Sequence, residues 1–150
     1  MSNHLEGIRV VELGTHVAVP KAARIMADWG AEVIKVEPPK GEPWRYVGPG
    51  YEMPAGPVEN INKKSVALNL KTPEGQAAMK TLIRSADVFI TNTRTKALEK
   101  LGLSYEALRE ECPGLIYVHF GAFGQKGPEK DFPGFDIASF WAKSGTLVEW

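Results

Sequence analysis

The sequence predicts an α/β protein built on a doubly wound, mainly parallel sheet, and three observations carry that prediction. Residues 8–37, IRVVELGTHVAVPKAARIMADWGAEVIKVE, read as strand, turn, helix and strand. Later apolar runs at 66–70, 88–91 and 115–120 have strand length and alternate with stretches of helical periodicity. Segments rich in Pro and Gly separate several of these units. Strands that alternate with helices favour parallel pairing through crossover helices.

The first strand runs from Ile8 to Leu13. Pro20 sits near the start of the following helix, where its missing N–H is no loss. Ala22, Ile25, Met26 and Trp29 recur at helical spacing and predict one buried stripe. Gly30 supplies the C-terminal stop. Glu32 to Glu37 alternates and predicts the second strand, so the unit fits a right-handed βαβ connection. Residues 38–61 lack periodicity and predict a long loop, a feature usually functional or mobile.

Val66 to Leu70 predicts a third strand. Thr72-Pro73-Glu74 then opens a helix, with Thr as N-cap, Pro at N1 and an acid in the first turn. Met79, Leu82, Ile83 and Ala86 form its apolar stripe. Val88 to Thr91 predicts the fourth strand, followed by a turn at Asn92-Thr93-Arg94. Two short helices follow, one through Ala97, Leu98 and Leu101 and one through Tyr105, Leu108 and Cys112. Pro113-Gly114 breaks the second. Leu115 to Phe120 predicts a fifth strand, GAFGQKGPEKDFPG a loop, and Asp136 to Ser144 a final helix.

The chain's 150 residues suffice for one domain with a core. Its 18 Lys and Arg balance 18 Asp and Glu, which argues against a nucleic-acid or membrane-surface binder. A local basic site for a small anion stays compatible with that balance. No signal-peptide pattern and no long apolar run are visible, so a cytoplasmic location is expected. Cys112 is the one cysteine, which excludes an internal disulfide. It follows Glu110 and Glu111, which do not activate a thiol, and it reads as a small buried apolar residue.

His4, His16 and His119 share no metal-ligand spacing, and H-E-x-x-H, C-x-x-C and G-x-S-x-G are all missing. Metal-assisted hydrolysis and serine-nucleophile chemistry therefore have no support. His4 is a terminal residue, and His119 reads as a packed or edge residue of a strand. His16 lies in the first strand-to-helix turn, where open α/β sheets bind ligands. It reads either as a ligand contact or as an ordinary turn residue. That turn lacks the G-x-G-x-x-G of a dinucleotide site.

Asn92, Arg94, Lys96 and Lys100 follow the fourth strand. Beside the N–H groups of a new helix such cations hold phosphates, or they form a solvated face. Lys63, Lys64 and Lys71 flank the third strand and pose the same choice. Recurrence of basic residues near one sheet edge favours an anionic ligand. Asp136, in PGFD, reads as a helix N-cap or as a carboxylate beside an active site.

Five stretches in order resemble class III (CaiB/BaiF-type) CoA-transferases over nearly the whole chain. They are GIRVVEL, ADWGAEVIKVEPPKGEPWR, NKKSVALNLKTPEG, ADVFITNTRTKALEKLGLSYEAL, and P-x-L-I-Y-V with GQKGPEKDFPGFD. NTRTKALEKLGL and the PGFD text most resemble the branch that acts on aryl, branched-chain 2-hydroxyacyl or bile-acid CoA esters. The resemblance implies that residues 1–150 are the N-terminal part of a Rossmann-like, CoA-binding large domain. The rest of that domain and a small domain would lie outside the chain. Family members form interlocked homodimers.

The implied activity moves CoA between an acyl-CoA thioester and a carboxylic acid acceptor through an aspartyl-CoA thioester. CoA or acyl-CoA is then a substrate, with no tightly bound cofactor and no metal. By the same resemblance, CoA contacts fall on His16, Val17 and Ala18 in the first turn. Leu68 and Lys71 fall near the adenine and phosphate end, and Asn92, Arg94, Ala97, Lys100 and Leu101 after the fourth strand. A family arginine falls on Pro38, so the phosphate clamp differs in detail. The family's nucleophilic Asp is expected beyond Trp150, and Asp136 resembles an acidic neighbour of it. The loop from Trp44 to Tyr51 is a candidate contributor to acyl specificity.

Two other readings stand beside this one. An α-methylacyl-CoA racemase shares the implied fold, but that branch reads G-H-D where this chain has Gly134-Phe135-Asp136, and phenylalanine cannot transfer a proton. A non-catalytic CoA-binding or dimerisation fragment is the third.

Overall fold

A computed structural model describes residues 3–46 and 58–145. Among them, strands β1 (Arg9–Leu13), β2 (Glu32–Glu37), β3 (Lys64–Ala67), β4 (Val88–Thr91) and β5 (Ile116–His119) form one sheet. Its order is β3-β2-β1-β4-β5, and every pairing is parallel. Helices α1 (Ala18–Asp28), α2 (Pro73–Arg84), α3 (Thr95–Leu101), α4 (Tyr105–Leu108) and α5 (Asp136–Lys143) complete the fold, with 3-10 turns at Pro43–Tyr46 and Val58–Asn60. From β1 the chain steps outward to β2 and β3, then crosses back to β4 and β5. Strand order therefore reverses between β1 and β4, the doubly wound arrangement the sequence predicts.

Alternation along β1 sends Val10 and Val11 to opposite faces, and both are fully buried. On one face Val10, Val33, Val88 and Ile90 pack against Val19 and Ala23 of α1. On the other, Val11, Val36 and Phe89 pack against Met79 and Ile83 of α2, Leu98 of α3, Leu103 and Leu108. Each such fully buried aliphatic side chain contributes about 1.5–3 kcal/mol. Cys112 packs against the rim of this second cluster as a small apolar residue. Tyr117 also borders it and donates its hydroxyl to Leu103 O at 2.9 Å. Burial, aided by Glu106, pushes that phenol up to about 12.

β2 and β4 have the bounds the sequence predicts. α2 opens as expected, with Thr72 Oγ1 accepting from Gly75 N at 3.2 Å and Pro73 at N1. Gly30, at φ +100°, ends the first helical unit by donating to Ala27 O at 3.0 Å. The third strand lies earlier than expected, at Lys64–Ala67, in register with Ile34–Glu37. Asn69 ends it: its side chain accepts from Lys71 N, and its carbonyl accepts from Thr72 Oγ1. α4 is shorter than its apolar pattern suggests, closing after Leu108.

The expected stripe of α1 is not its buried face. Ala22 is exposed, Ile25 is 46% exposed and Trp29 is 54% exposed, while Val19, Pro20 and Ala23 are buried. Only Met26 of the expected four packs against the core. Ala23 has no exposed surface, so α1 meets the sheet through small residues, and bulky Ile25 and Trp29 are left on the outside.

Under the start of α1 the apolar face ends in charge. Glu12 and Lys35 lie opposite each other in the β1–β2 register, buried at 0% and 1% exposure. Lys35 Nζ donates to Glu12 Oε1 at 3.1 Å and to Gly14 O at 3.4 Å, and pairs with Glu42 Oε1 at 3.2 Å. Lys63 Nζ donates to Glu12 Oε2 at 2.6 Å and to Pro20 O at 2.7 Å. Asn60 Nδ2 donates to Glu42 Oε1 at 3.1 Å. Two carboxylates and two ammonium groups cancel, so the site holds no net charge. Burial pushes the Lys63 ammonium below the usual lysine range, with Glu12 opposing the shift.

Beside this network Arg45 forks onto Glu37, Nε to Oε2 at 3.0 Å and Nη2 to Oε1 at 2.8 Å. Burial favours the neutral form of Glu37, but Arg45 outweighs it and leaves the carboxyl below the usual range. Together these contacts fasten residues 41–46 and 58–63 to the sheet.

Lys35→Met alone leaves Glu12 and Glu42 short of a partner and should cost about 3–5 kcal/mol, seen as a lower urea midpoint. The pair Glu12→Gln/Lys35→Met keeps charge balance and should cost less than Lys35→Met; an equal or larger loss would contradict the account. Arg45→Met should destabilise at neutral pH. The depressed Glu37 contributes stability above its unfolded value and loses it as pH falls through its folded value. The difference between Arg45→Met and parent should therefore shrink on acidification; a pH-independent difference would contradict it.

Candidate functional site

Ligands of open α/β sheets bind outside the carboxyl ends of the strands where their order reverses. Here that place lies between the β1–α1 turn and the β4–α3 turn. The two turns are tied to each other. Thr91 Oγ1 donates to Leu13 O at 2.7 Å. The Asn92 amide spans Thr15, accepting from its N–H at 3.0 Å and donating to its carbonyl at 2.9 Å. Thr93 N donates to Thr91 Oγ1 at 3.0 Å.

Within the first turn Gly14 is there for space: a Cβ would stand 2.4 Å from Val19 Cγ1. His16 follows at φ +62°. A left-handed conformation costs a residue with a Cβ about 1–2 kcal/mol, so its neighbours must hold it. Its ring meets Phe135 edge-on at 5.4 Å. Val17 occupies the cap position of α1, with no side-chain cap hydrogen bond. Val17 and Ala18 are exposed.

Parallel pairing brings the other expected residues to the same sheet edge. Leu68, half-buried, and Lys71, exposed, follow β3. Arg94 takes the cap position of α3, and Arg94, Ala97, Lys100 and Leu101 recur along one face of that helix. Arg94 and Lys100 are exposed, whereas Ala97 and Leu101 are half-buried. Asn92 sits at the reversal point with its amide engaged on Thr15.

The other lysines are engaged elsewhere. Lys63, weighed as an anion ligand, is committed to Glu12 and Pro20, and its side chain is 1% exposed. Lys64 pairs with Glu32, and Lys96 pairs with Asp131 at 3.1 Å.

The loop after β5 returns across this edge. His119 is a bracket at its start: Gln125 pairs with Nδ1, and Nε2 lies 2.8 Å from Thr93 O. Lys143 pairs with Glu129 and sits 5.4 Å from the Phe123 ring centroid. Asp136 does not cap α5. Phe135 holds the cap position and Asp136 is the first helical residue, because the extended PGF segment carries the chain one residue further than the composition suggests. The Asp136 side chain lies outside the described residues, as do residues 47–51 of the Trp44–Tyr51 loop expected to contribute to acyl specificity.

Sequence reasoning missed Glu12, Lys35, Glu42 and Asn60. A signal was present: Val11-Glu12-Leu13 and Ile34-Lys35-Val36 place a charge inside an apolar strand, and such charges are almost never buried unless paired. Among the described residues no group of three or more His, Cys, Asp or Glu could hold a metal ion. No helix among them is long and apolar enough to cross a membrane.

Residues 5–148 match the family model of CoA-transferase family III. The chain is 44% identical to a cinnamoyl-CoA:phenyllactate CoA-transferase of Clostridium sporogenes, across 99% of this chain and 38% of that protein. It is 43% identical to an (R)-2-hydroxy-4-methylpentanoate CoA-transferase of Clostridioides difficile, across 94% of this chain and 37% of that protein. The chain thus spans less than two fifths of the length of these curated relatives.

Two crystal structures share its fold. Rv3272 from Mycobacterium tuberculosis superimposes with a TM-score of 0.85 at 36% identity, covering 99% of this chain and 42% of that one. A CaiB/BaiF family protein from Brucella suis gives 0.85 at 34% identity, covering 97% and 40%. The family model and the shared fold both extend over nearly the whole chain, and the chain belongs to the class III family of CoA-transferases.

Proposed function

We propose that this chain is the N-terminal part of the CoA-binding large domain of a CoA-transferase. One observation carries the reading. In a chain of this family, the His16–Ala18 turn, Leu68 and Lys71, and the Arg94–Leu101 face follow three different strands to one edge of a parallel sheet. On this reading Lys71, Arg94 and Lys100 hold phosphates, and Leu68, Ala97 and Leu101 offer apolar surface to the adenine end. His16, Val17, Ala18 and Asn92 line the path at the strand reversal. Phosphate contacts far from the thioester position its reacting carbonyl.

The reaction moves CoA between an acyl-CoA and a carboxylic acid. An Asp carboxylate, expected beyond Trp150, attacks the thioester carbonyl and releases CoA thiolate, leaving a mixed anhydride. The thiolate attacks the Asp carbonyl of that anhydride, which frees the first acid and gives an aspartyl-CoA thioester. The acceptor carboxylate attacks this thioester, and the released thiolate then takes the new acyl group and restores the Asp. Covalent catalysis divides one hard exchange into easier steps. Backbone N–H groups at turns and helix starts stabilise the oxyanions. Relatives named for phenyllactate and (R)-2-hydroxy-4-methylpentanoate support an aryl or 2-hydroxyacyl substrate class. The working unit proposed is a homodimer of the full-length protein.

Calorimetry of the full-length protein with CoA should show saturable binding; no heat at millimolar CoA would sink the reading. Lys71→Ala and Arg94→Ala should each weaken binding on the order of tenfold at low salt, as the loss of a charge-assisted contact predicts, and by less at high salt. Parent-like affinity in the double variant would refute both assignments. Turnover by residues 1–150 alone would place the nucleophile inside this chain rather than beyond it.

A further inference from the structure

We propose that the buried network around Lys35 is a positioning device for His16, aiming the imidazole from the β1–α1 turn toward bound CoA. The inference rests on the CoA-binding reading of that turn.

Stability alone does not account for four buried charges, because a well-packed apolar core in the same place is often as stable or more so. What the network adds is direction. An ammonium group has three donors, and Lys35 faces three acceptors: Glu12, Glu42 and Gly14 O. Two of these are carboxylates of the network itself. The third is a backbone carbonyl two residues before His16, and no apolar side chain could hold it.

The remaining fastenings lie on either side. Thr91 holds Leu13 O, Asn92 holds both backbone groups of Thr15, and Lys63 holds Pro20 O in the first turn of α1. His16 is therefore bracketed from β4 on one side and from the charge network on the other. It sits in the left-handed conformation that an unheld residue would leave. Glycine would take that conformation without strain. A histidine there, held so closely, gives the side chain one fixed direction at the ligand edge. Lys35 does not touch the ligand; it acts through the backbone of Gly14 and the turn that follows.

A double-mutant cycle in the full-length protein tests this. Glu12→Gln/Lys35→Met removes the donor to Gly14 O and leaves Lys63 and Glu42 balanced. It should weaken CoA binding about tenfold, while the same change in a His16→Gly background should alter affinity less than about twofold. Equal losses in both backgrounds, or no loss in the first, would overturn the inference. Lys35→Arg keeps the charge but replaces a point donor with a planar fork. It should reproduce the pattern, so the test survives a misfolded double variant, and parent-like binding by Lys35→Arg would count against the proposal.

Amide hydrogen exchange separates this inference from the CoA reading. Exchange at residues 15–18 should quicken tenfold or more in Glu12→Gln/Lys35→Met, with the middle of α2 unchanged. Unaltered exchange in the turn overturns the positioning role whatever CoA does. No CoA binding by the parent, with exchange altered as expected, confines the failure to the ligand assignment and to the aim toward CoA.

Discussion

A buried charge must find an opposite charge, and that requirement organises one whole side of this protein. Glu12 enters the sheet interior on β1, and Lys35 stands across from it on β2. Neither could be buried alone. Their pairing recruits Glu42 from the segment after β2 and Lys63 from the segment before β3. Two stretches with little regular structure are thereby fastened to the sheet. The two lysines of this network also donate to the carbonyls of Gly14 and Pro20, so the β1–α1 turn shares its support with the core.

The opposite wall is built by different means. Thr91 and Asn92 reach from β4 into the β1 turn through neutral hydrogen bonds, and His119 fixes the Thr93 carbonyl from β5. A dinucleotide fold solves the same problem with glycines, letting bare backbone approach a pyrophosphate. In its β1–α1 turn this chain keeps glycine only at Gly14, where Val19 leaves no space for a side chain, and places a strained histidine where glycine would be easy. Exposed cations stand instead in the segments after β3 and β4, at Lys71, Arg94 and Lys100, the residues proposed above to hold phosphates.

Elements governed by neighbouring residues were legible in the sequence. Thr72-Pro73-Glu74 opens α2, Gly30 stops the helix before β2, and Val88–Thr91 is buried along its whole length as an interior parallel strand should be. Elements governed by distant partners were less so. β3 begins at Lys64 because Ile34 pairs with it, and the apolar text of 66–70 does not reveal that register. In α1 two apolar faces compete, and close approach to the sheet selects the one through Val19 and Ala23 over the bulkier one through Ile25 and Trp29.

By itself the sequence determined the class of fold, the order of elements, the family, and the set of segments that meet at the sheet edge. These follow from periodicity, caps and runs of matching residues, all of which are local in the chain. Only the tertiary structure decided which lysines are committed internally and which stay at the surface. Lys63 and Lys71 look alike in the sequence, yet one is locked onto Glu12 from 51 residues away and the other is exposed. The physical reason is that an ion pair forms between groups that folding makes neighbours, and spacing along the chain carries no record of that meeting.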